Sequence, residues 1–128
     1  MKTSRPLLCA LAVAAAALAG CGPSFDHLEF TNRTTPPDST SVSENEIRIQ
    51  VGIAIGVIAT PYDGNEAMDD EDTTLELESD NPGVIGVDPA LEHGSFVIYG
   101  VGAGTANVRI IVDGSDEGRI PATVTLQQ

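Results

Sequence analysis

The chain has 128 residues, of which nineteen are acidic and six are basic, so its formal net charge is −13 at neutral pH. A chain this acidic has no electrostatic footprint for nucleic acid, and an anionic membrane surface should repel it. Its acidity instead suits solubility, a basic partner or divalent cations.

The first twenty residues have the three parts of a secretory signal peptide. Lys2 and Arg5 supply positive charge, an unbroken apolar run covers 7–19, and small residues close it at Ala19-Gly20. A membrane-spanning helix needs roughly 20 apolar residues, and this run is shorter. We therefore expect residues 1–20 to be removed during export.

The segment Leu18-Ala19-Gly20-Cys21 resembles the lipobox of bacterial lipoproteins. The resemblance implies cleavage between Gly20 and Cys21, diacylation of the Cys21 thiol, and often a further acyl chain such as palmitate on the new amino group. Cysteine suits this reaction because its thiolate is the nucleophile. One acyl chain binds a membrane only marginally, whereas two or more anchor it stably, at about 0.8 kcal/mol per buried CH₂. The alternative is a soluble exported protein that happens to carry cysteine here.

The residue after the lipobox bears on location. In Gram-negative lipoproteins an aspartate there favours retention in the inner membrane, and this chain has Gly22. For a Gram-negative source, the resemblance therefore implies an outer-membrane lipoprotein that faces the periplasm or the cell surface.

Removal of the signal peptide changes the charge and the thiol content. Lys2 and Arg5 leave but no acid does, so four basic residues and nineteen acids give a net charge of about −15 (4 − 19) with histidine neutral. Cys9 leaves as well, and acylation occupies Cys21, which excludes a disulfide or a thiolate zinc site. With no Trp and three Phe in the chain, the core is predicted to be aliphatic.

The mature chain is long enough for one domain with a tether. We expect 21–45 to hold the lipidated cysteine, a short strand candidate at 27–31 and a flexible linker, and 46–128 to form the domain. The linker is predicted because the Thr, Ser and Pro residues of 32–43 favour extended, solvated backbone. Whether the strand at 27–31 joins the domain sheet stays open.

Apolar residues at alternate positions dominate the rest of the chain. From Ile47 to Ala59 every odd position is apolar, which predicts strands with one buried face. The run is long for one strand, so we predict a break at Gly52, strands at 46–51 and 53–60, and an end at Pro61. Further short strands are predicted at 73–79, 84–87, 95–101, 106–112 and 120–126. With seven or eight strands and no convincing helix after the lipobox, the fold class is all-β, an antiparallel β-sandwich.

The chain from Ile47 onward resembles a bacterial immunoglobulin-like domain of group 2 (Big2), the intimin/invasin-related module. The resemblance lies in Val51-Gly52-Ile53, in the run 75–87 with its Asn81-Pro82-Gly83 turn, and in the run 99–110 with Gly-Thr-Ala at 104–106. Leu77 stands where the family has a tryptophan. The resemblance implies an Ig-like sandwich of the kind used as a spacer or adhesion module, and a fold alone fixes no activity.

The loop over 61–72 is the most acidic stretch of the sequence. Oxygen ligands for Ca²⁺, a hard cation that takes 6–8 of them, are available from Asp63, Asn65, Glu66, Asp69, Asp70, Glu71 and Asp72. The spacing matches no EF-hand loop, and the alternative is a solvated loop that keeps the protein soluble. A second acidic turn, for which solvation is favoured more strongly, contains Asp113, Ser115, Asp116 and Glu117.

Other candidate residues are few. His27 and His93 are not accompanied by any nucleophile or phosphate-binding motif, which favours surface histidines. Tyr62, Phe96 and Tyr99 suit stacking on a sugar or a partner, or packing against the sheet. The sequence therefore predicts a non-enzymatic, lipid-anchored envelope module that binds an envelope protein or polysaccharide. A calcium-dependent binding module is the alternative, and a small hydrolase is least favoured.

Overall fold

A computed structural model of the chain describes residues 24–69 and 71–127. Those residues form ten strands and contain no helix that is long and apolar enough to cross a membrane. The predicted all-β class is confirmed. The structure has more strands than the seven or eight that were predicted, and two of them contain only two residues. The strands are β1 His27–Asn32, β2 Ser41–Val42, β3 Ile47–Gln50, β4 Ala54–Asp63, β5 Glu66–Ala67, β6 Leu75–Ser79, β7 Ile85–Pro89, β8 Ser95–Gly100, β9 Gly104–Val112 and β10 Ser115–Thr125.

The strands form two sheets that pack into a sandwich. Sheet A has the order β1-β4-β8-β7, with β5 paired to β4, and sheet B has the order β2-β3-β10-β9-β6. Neighbouring strands are antiparallel except β3 and β10, which run parallel with Ile47 opposite Ala122. The predicted antiparallel β-sandwich is confirmed, and this pair is its one parallel contact between described strands. The pair arises because the chain leaves β3 for the other sheet, and the last strand then pairs with the free edge of β3.

The core lies between the sheets and consists of the alternate positions that the sequence marked as apolar. Three consecutive inward positions of β4 (Ile55, Val57 and Ala59) are at most 2% exposed. Each buried Ile, Leu or Val side chain contributes roughly 1.5–3 kcal/mol relative to exposure. As predicted, the buried hydrophobic residues are aliphatic apart from Phe96.

Gly52 lies where the chain passes from one sheet to the other. Its φ of 85° belongs to the left-handed region that favours glycine. The Gly52 N–H donates to the Gly100 carbonyl at 3.0 Å, which fixes the crossing point against β8. The predicted break between β3 and β4 is therefore confirmed.

Pro61 lies inside β4, although the sequence predicted that it would end the strand. Its missing N–H faces the side of β4 on which β8 has already ended, because the last β8 partner is Ser95 opposite Ile58. On that side the Pro61 carbonyl accepts a 2.7 Å hydrogen bond from the Met68 N–H. The proline thus removes no hydrogen bond between β4 and β8.

Two of the predicted loops are shorter in the structure. Within 61–72, β5 pairs back onto β4 to form a hairpin around Gly64. The predicted loop 113–118 is a two-residue turn, Asp113-Gly114, with φ angles of 50° and 83°. Two successive positive φ angles are typical of a type I′ turn, which matches the twist of the flanking strands.

β1 is a full member of sheet A, which answers the question that the sequence left open. It pairs with β4 over its whole length, and Leu28 is 1% exposed within the core. The sandwich therefore starts upstream of residue 46. The Thr/Ser/Pro-rich segment follows β1 and connects it to β2 in the other sheet.

Candidate functional site

The loops gather at two ends of the sandwich, and these ends differ in charge. The acidic end consists of segments 24–26, 43–46, 63–74, 90–94 and 113–117, with residue 70 outside the description. These segments contain no arginine or lysine. Their described carboxylates are Asp26, Glu44, Glu46, Asp63, Glu66, Asp69, Glu71, Asp72, Glu92, Asp113, Asp116 and Glu117.

The opposite, low-charge end consists of segments 33–40, 51–53, 80–84, 101–103 and 126–127. It carries two carboxylates, Asp38 and Asp80. Arg33 also belongs to these segments, but its guanidinium reaches toward the acidic end and pairs with Glu92 at 2.6 Å. Two of its apolar side chains are exposed, Val101 at 44% and Leu126 at 67%. Most of the described carboxylates therefore lie at one end of the sandwich.

Several carboxylates of the acidic end hold its turns together. The Asp113 Oδ1 accepts from the Thr74 N–H at 2.9 Å, and the Asp113 N–H donates to the Thr74 carbonyl at 2.9 Å. The Glu44 Oε2 accepts from the Leu28 N–H at 2.9 Å. These hydrogen bonds give the carboxylates a structural role, because they satisfy backbone donors near the strand ends.

The calcium candidates of the acidic loop are only partly brought together. Asp63 ends β4 and its Oδ2 accepts from the Ser24 N–H at 3.3 Å. Asn65, Asp69 and Asp72 are exposed around the β4–β5 hairpin and the loop after it, and Asp70 lies outside the described residues. Among the residues described, no three His, Cys, Asp or Glu side chains are grouped so as to hold a metal ion. Calcium binding stays a prediction.

His27 is held at the acidic end by two carboxylates and an aromatic ring. Its Nδ1 lies 2.9 Å from Asp26 Oδ2 and its Nε2 lies 3.0 Å from Glu29 Oε2. The ring stacks on Tyr62 at a centroid distance of 4.9 Å. The hydrogen bonds to Asp26 and then to Glu29 raise the pKa of His27 above its usual 6.5. Sequence reasoning missed this cluster because Tyr62 comes from another strand. His93, the other histidine, is exposed in the loop before β8.

The three aromatic candidates are dispersed. Phe96 is 4% exposed in the core. Tyr62 and Tyr99 lie on the outer face of sheet A, but Tyr99 is opposite Ala54, eight residues from Tyr62 along β4. At about 3.3 Å per residue, that places them about 26 Å apart. They therefore offer no shared stacking platform, and Tyr99 instead covers Gly86 with a hydrogen bond to Asp88 that raises its pKa.

An apolar groove runs along the side of the sandwich between edge strands β6 and β7. Its volume is about 290 Å³, and its lining includes Leu75, Leu77, Val87, Pro89 and Phe96. Edge strands carry backbone groups that are free to pair with another chain. Sequence analysis did not identify the groove, because it depends on two strands of different sheets lying side by side.

A second, polar depression of about 480 Å³ lies on the outer face of sheet B. Its lining includes Asp80, Asn81, Thr105, Asn107 and Thr123. Hydroxyl and amide groups of this kind both donate and accept hydrogen bonds. The depression therefore offers a polar surface for a partner, in contrast to the groove on the side.

The predicted lipidation residues Gly20 and Cys21 lie outside the described residues. The described residues begin at Ser24, and the chain is already in contact with the sandwich at that residue. Phe25 packs against the core, and the Asp26 N–H donates to the Tyr62 carbonyl at 2.7 Å.

Comparisons with known proteins give a distant structural likeness and no family match. No model of a known protein family matches the chain, so the resemblance to Big2 domains stays a prediction. No curated protein matches either. Among solved structures, the chain is similar to the crystal structure of domains 4 and 5 of the S-layer protein SbsC, with a TM-score of 0.47 and 16% identity. The match covers 81% of this chain and 54% of that one, so this chain spans about half of that structure's length.

Proposed function

We propose that this protein is a lipid-anchored, non-catalytic Ig-like module of the bacterial cell envelope that binds an envelope protein or polysaccharide. The observation that carries the proposal is the position of the lipobox. Cys21 precedes by three residues a chain that is already packed on a small β-sandwich at Ser24. The whole described chain then serves as the displayed domain.

The roles of the reactive side chains support a non-catalytic module. His27 is occupied by Asp26 and Glu29. The buried hydroxyl of Ser95 accepts from the Arg33 guanidinium at 3.4 Å. A nucleophile needs a base within hydrogen-bond reach, and His27 and Ser95 are each engaged with other groups. The side groove and the polar depression on the outer face of sheet B are two surfaces suited to a partner.

The anchor is tested by metabolic labelling with a palmitate analogue. The change Cys21→Ser is expected to abolish the label and to leave unprocessed precursor, because the thiolate is the acceptor of the lipid. The change Cys9→Ser is the matched control, since it removes the other thiol of the chain and should keep both label and processing. Normal processing of the Cys21→Ser protein would overturn the proposal.

The binding role is tested with the lipidated protein in a detergent-solubilised envelope fraction. A partner that binds the side groove should no longer bind the Leu75→Ser protein but should still bind the Thr123→Glu protein. A partner on the outer face of sheet B should bind the Leu75→Ser protein and not the Thr123→Glu protein. Both positions are half-buried, so circular dichroism of each variant checks that the fold is intact. Equal retention by both variants would place the partner elsewhere.

A further inference from the structure

The N-terminal segment is fastened to the acidic end before β1 begins. The Ser24 N–H donates to Asp63 Oδ2 at 3.3 Å, Phe25 packs against the core, and the Asp26 N–H donates to the Tyr62 carbonyl at 2.7 Å. Three successive residues therefore contact the sandwich. The chain enters the domain at its acidic end.

This attachment limits how far the domain reaches from Cys21. Three residues of fully extended chain span at most about 10 Å, so Ser24 lies within that distance of Cys21. The Thr/Ser/Pro-rich segment adds nothing to the reach, because it follows β1 and lies within the sandwich. The sequence-based expectation of a tether over 21–45 would have allowed a much longer and freer reach.

We propose that the acidic end faces the phospholipid headgroups and that the sandwich stands end-on, with its low-charge end pointing away from the bilayer. The proposal rests on the lipidation of Cys21 proposed above. The ten residues of β4 span about 33 Å, which sets the scale of the distance between the two ends. Because the lipid is attached within about 10 Å of Ser24, the acidic end is the part of the protein surface nearest to the bilayer.

The short tether sets which end lies nearest the bilayer, and charge limits how closely that end approaches the headgroups. The segments of the acidic end have twelve described carboxylates and no arginine or lysine. Three of these carboxylates, Glu46, Glu92 and Asp116, pair with arginines from neighbouring segments, so the end keeps a net negative charge. At physiological ionic strength charges interact over a Debye length of about 8 Å, which is comparable with the reach of the tether. Anionic headgroups therefore repel this end to the limit of the tether, whereas the lipid prevents it from leaving.

This orientation leaves some surfaces of the sandwich accessible to a partner and shields others. The low-charge end and the side groove between β6 and β7 are left free to meet a partner from outside. The acidic loops are held at the headgroup layer, where a large partner has little room. An envelope partner is therefore expected to approach the groove, the outer face of sheet B or the low-charge end.

Energy transfer from the protein to the membrane surface tests the orientation. The acylated protein has no free thiol, so Asn65→Cys at the acidic end and Ala103→Cys at the low-charge end each give one labelling position, and both residues are exposed. Each variant carries the same donor dye and is reconstituted into phosphatidylcholine vesicles that contain an acceptor-labelled phosphatidylethanolamine. Transfer is expected to be at least about twofold more efficient from residue 65, because the ends are ~30 Å apart. Equal transfer from both positions, or more from residue 103, would overturn the proposal.

A longer tether provides the matched control. Ten Gly/Ser residues inserted after Gly22 add a root-mean-square reach of roughly 18 Å, which should reduce the difference between the two positions. An unchanged difference would show that something other than the short tether sets the orientation, and would overturn the proposal. Failure of lipidation has a separate signature, since an unlipidated protein would bear no palmitate label and would not float with the vesicles.

Discussion

The two ends of the sandwich differ in packing as well as in charge. At the acidic end, Gly64 and Gly114 lie in turns where an added Cβ would meet nothing within 4 Å. At the low-charge end, Gly100 and Gly102 lie against other backbone segments, and an added Cβ at Gly102 would be 2.7 Å from the Gly83 carbonyl oxygen. Backbone segments of the two sheets are thus in close contact at the low-charge end, whereas the turns at Gly64 and Gly114 of the acidic end are open.

The close packing at the low-charge end follows from the path of the chain. Between β3 and β4 the backbone crosses from sheet B to sheet A directly over β8, where Val51 bridges Gly100. The Gly52 N–H donates to the Gly100 carbonyl at 3.0 Å and the Gly100 N–H donates to the Ile53 carbonyl at 3.0 Å. Only a residue without a side chain permits so close an approach. Stability is therefore expected to be more sensitive to changes at this end.

The largest effect is expected from Gly100→Val. Its side chain would overlap the carbonyl of Gln50, which is backbone and cannot rotate away. Overpacking at such a position costs roughly 3 kcal/mol or more. Urea unfolding of the purified protein measures the loss.

The matched change at the other end is Gly114→Asn. Asparagine tolerates the left-handed φ of 83° better than other residues, and the added side chain has open space. The expected loss of stability is below about 1 kcal/mol. Similar losses for Gly100→Val and Gly114→Asn would remove the contrast in packing between the two ends.

The next largest effect concerns the strand that connects the core to the N-terminal segment. Leu28 is 1% exposed, and Leu28→Ala is expected to cost about 2–3 kcal/mol through lost burial and a residual cavity. Thr31→Ala on the same strand changes an exposed residue and should cost less than about 0.5 kcal/mol. Equal unfolding midpoints for the two variants would mean that β1 is not part of the folded unit.

Much of the fold could be predicted from residue alternation alone. The break at Gly52 and the inward positions of β4 follow from local pattern, because one sheet face is buried and the period of a strand is two. The place of β1 in the sheet could not be predicted, since its pattern of Leu28 and Phe30 is too short to show a partner. The parallel pairing of β3 with β10 also depends on topology, because the two strands are separated by most of the domain.

The candidate site was predictable only in its parts. The sequence identified the acidic loop 61–72 and the turn at 113–117 as separate charged segments. It did not indicate that Asp26, Glu44 and Glu92 lie at the same end of the sandwich as these segments, because strand order places them there. The entry of the chain at this end, through Ser24 and Asp63, likewise joins residues 39 positions apart.

A smaller effect is expected from divalent cations, which test how the acidic end uses its charge. Calcium and magnesium at equal concentration should raise Tm by similar amounts, because both screen repulsion among the carboxylates of this end. Sodium chloride at matched ionic strength provides the control for general screening. A rise with calcium well above that with magnesium would instead support the calcium-dependent binding module, with the loop 63–72 as its site.

The smallest expected effect is the pH dependence that His27 contributes at the acidic end. The folded pKa of His27 is raised above 6.5 by the hydrogen bonds to Asp26 and then to Glu29. A raised folded pKa means that protonation stabilises the folded state. The contribution is therefore fully present below the unfolded pKa of about 6.5 and is lost as the pH rises through the higher folded value. NMR titration of the imidazole measures that value directly.

Two variants separate the contributions of the carboxylates that hold His27. Asp26→Asn removes the larger interaction and Glu29→Gln the smaller one, so Asp26→Asn should lower the pKa of His27 further. Each variant should also flatten the fall in Tm as the pH rises above the unfolded pKa of about 6.5, because the folded pKa of His27 would lie closer to that value. A His27 pKa that is unchanged in both variants would contradict the geometry of the cluster. The effect stays small because Asp26 and Glu29 are exposed to solvent, which weakens their attraction for the imidazolium.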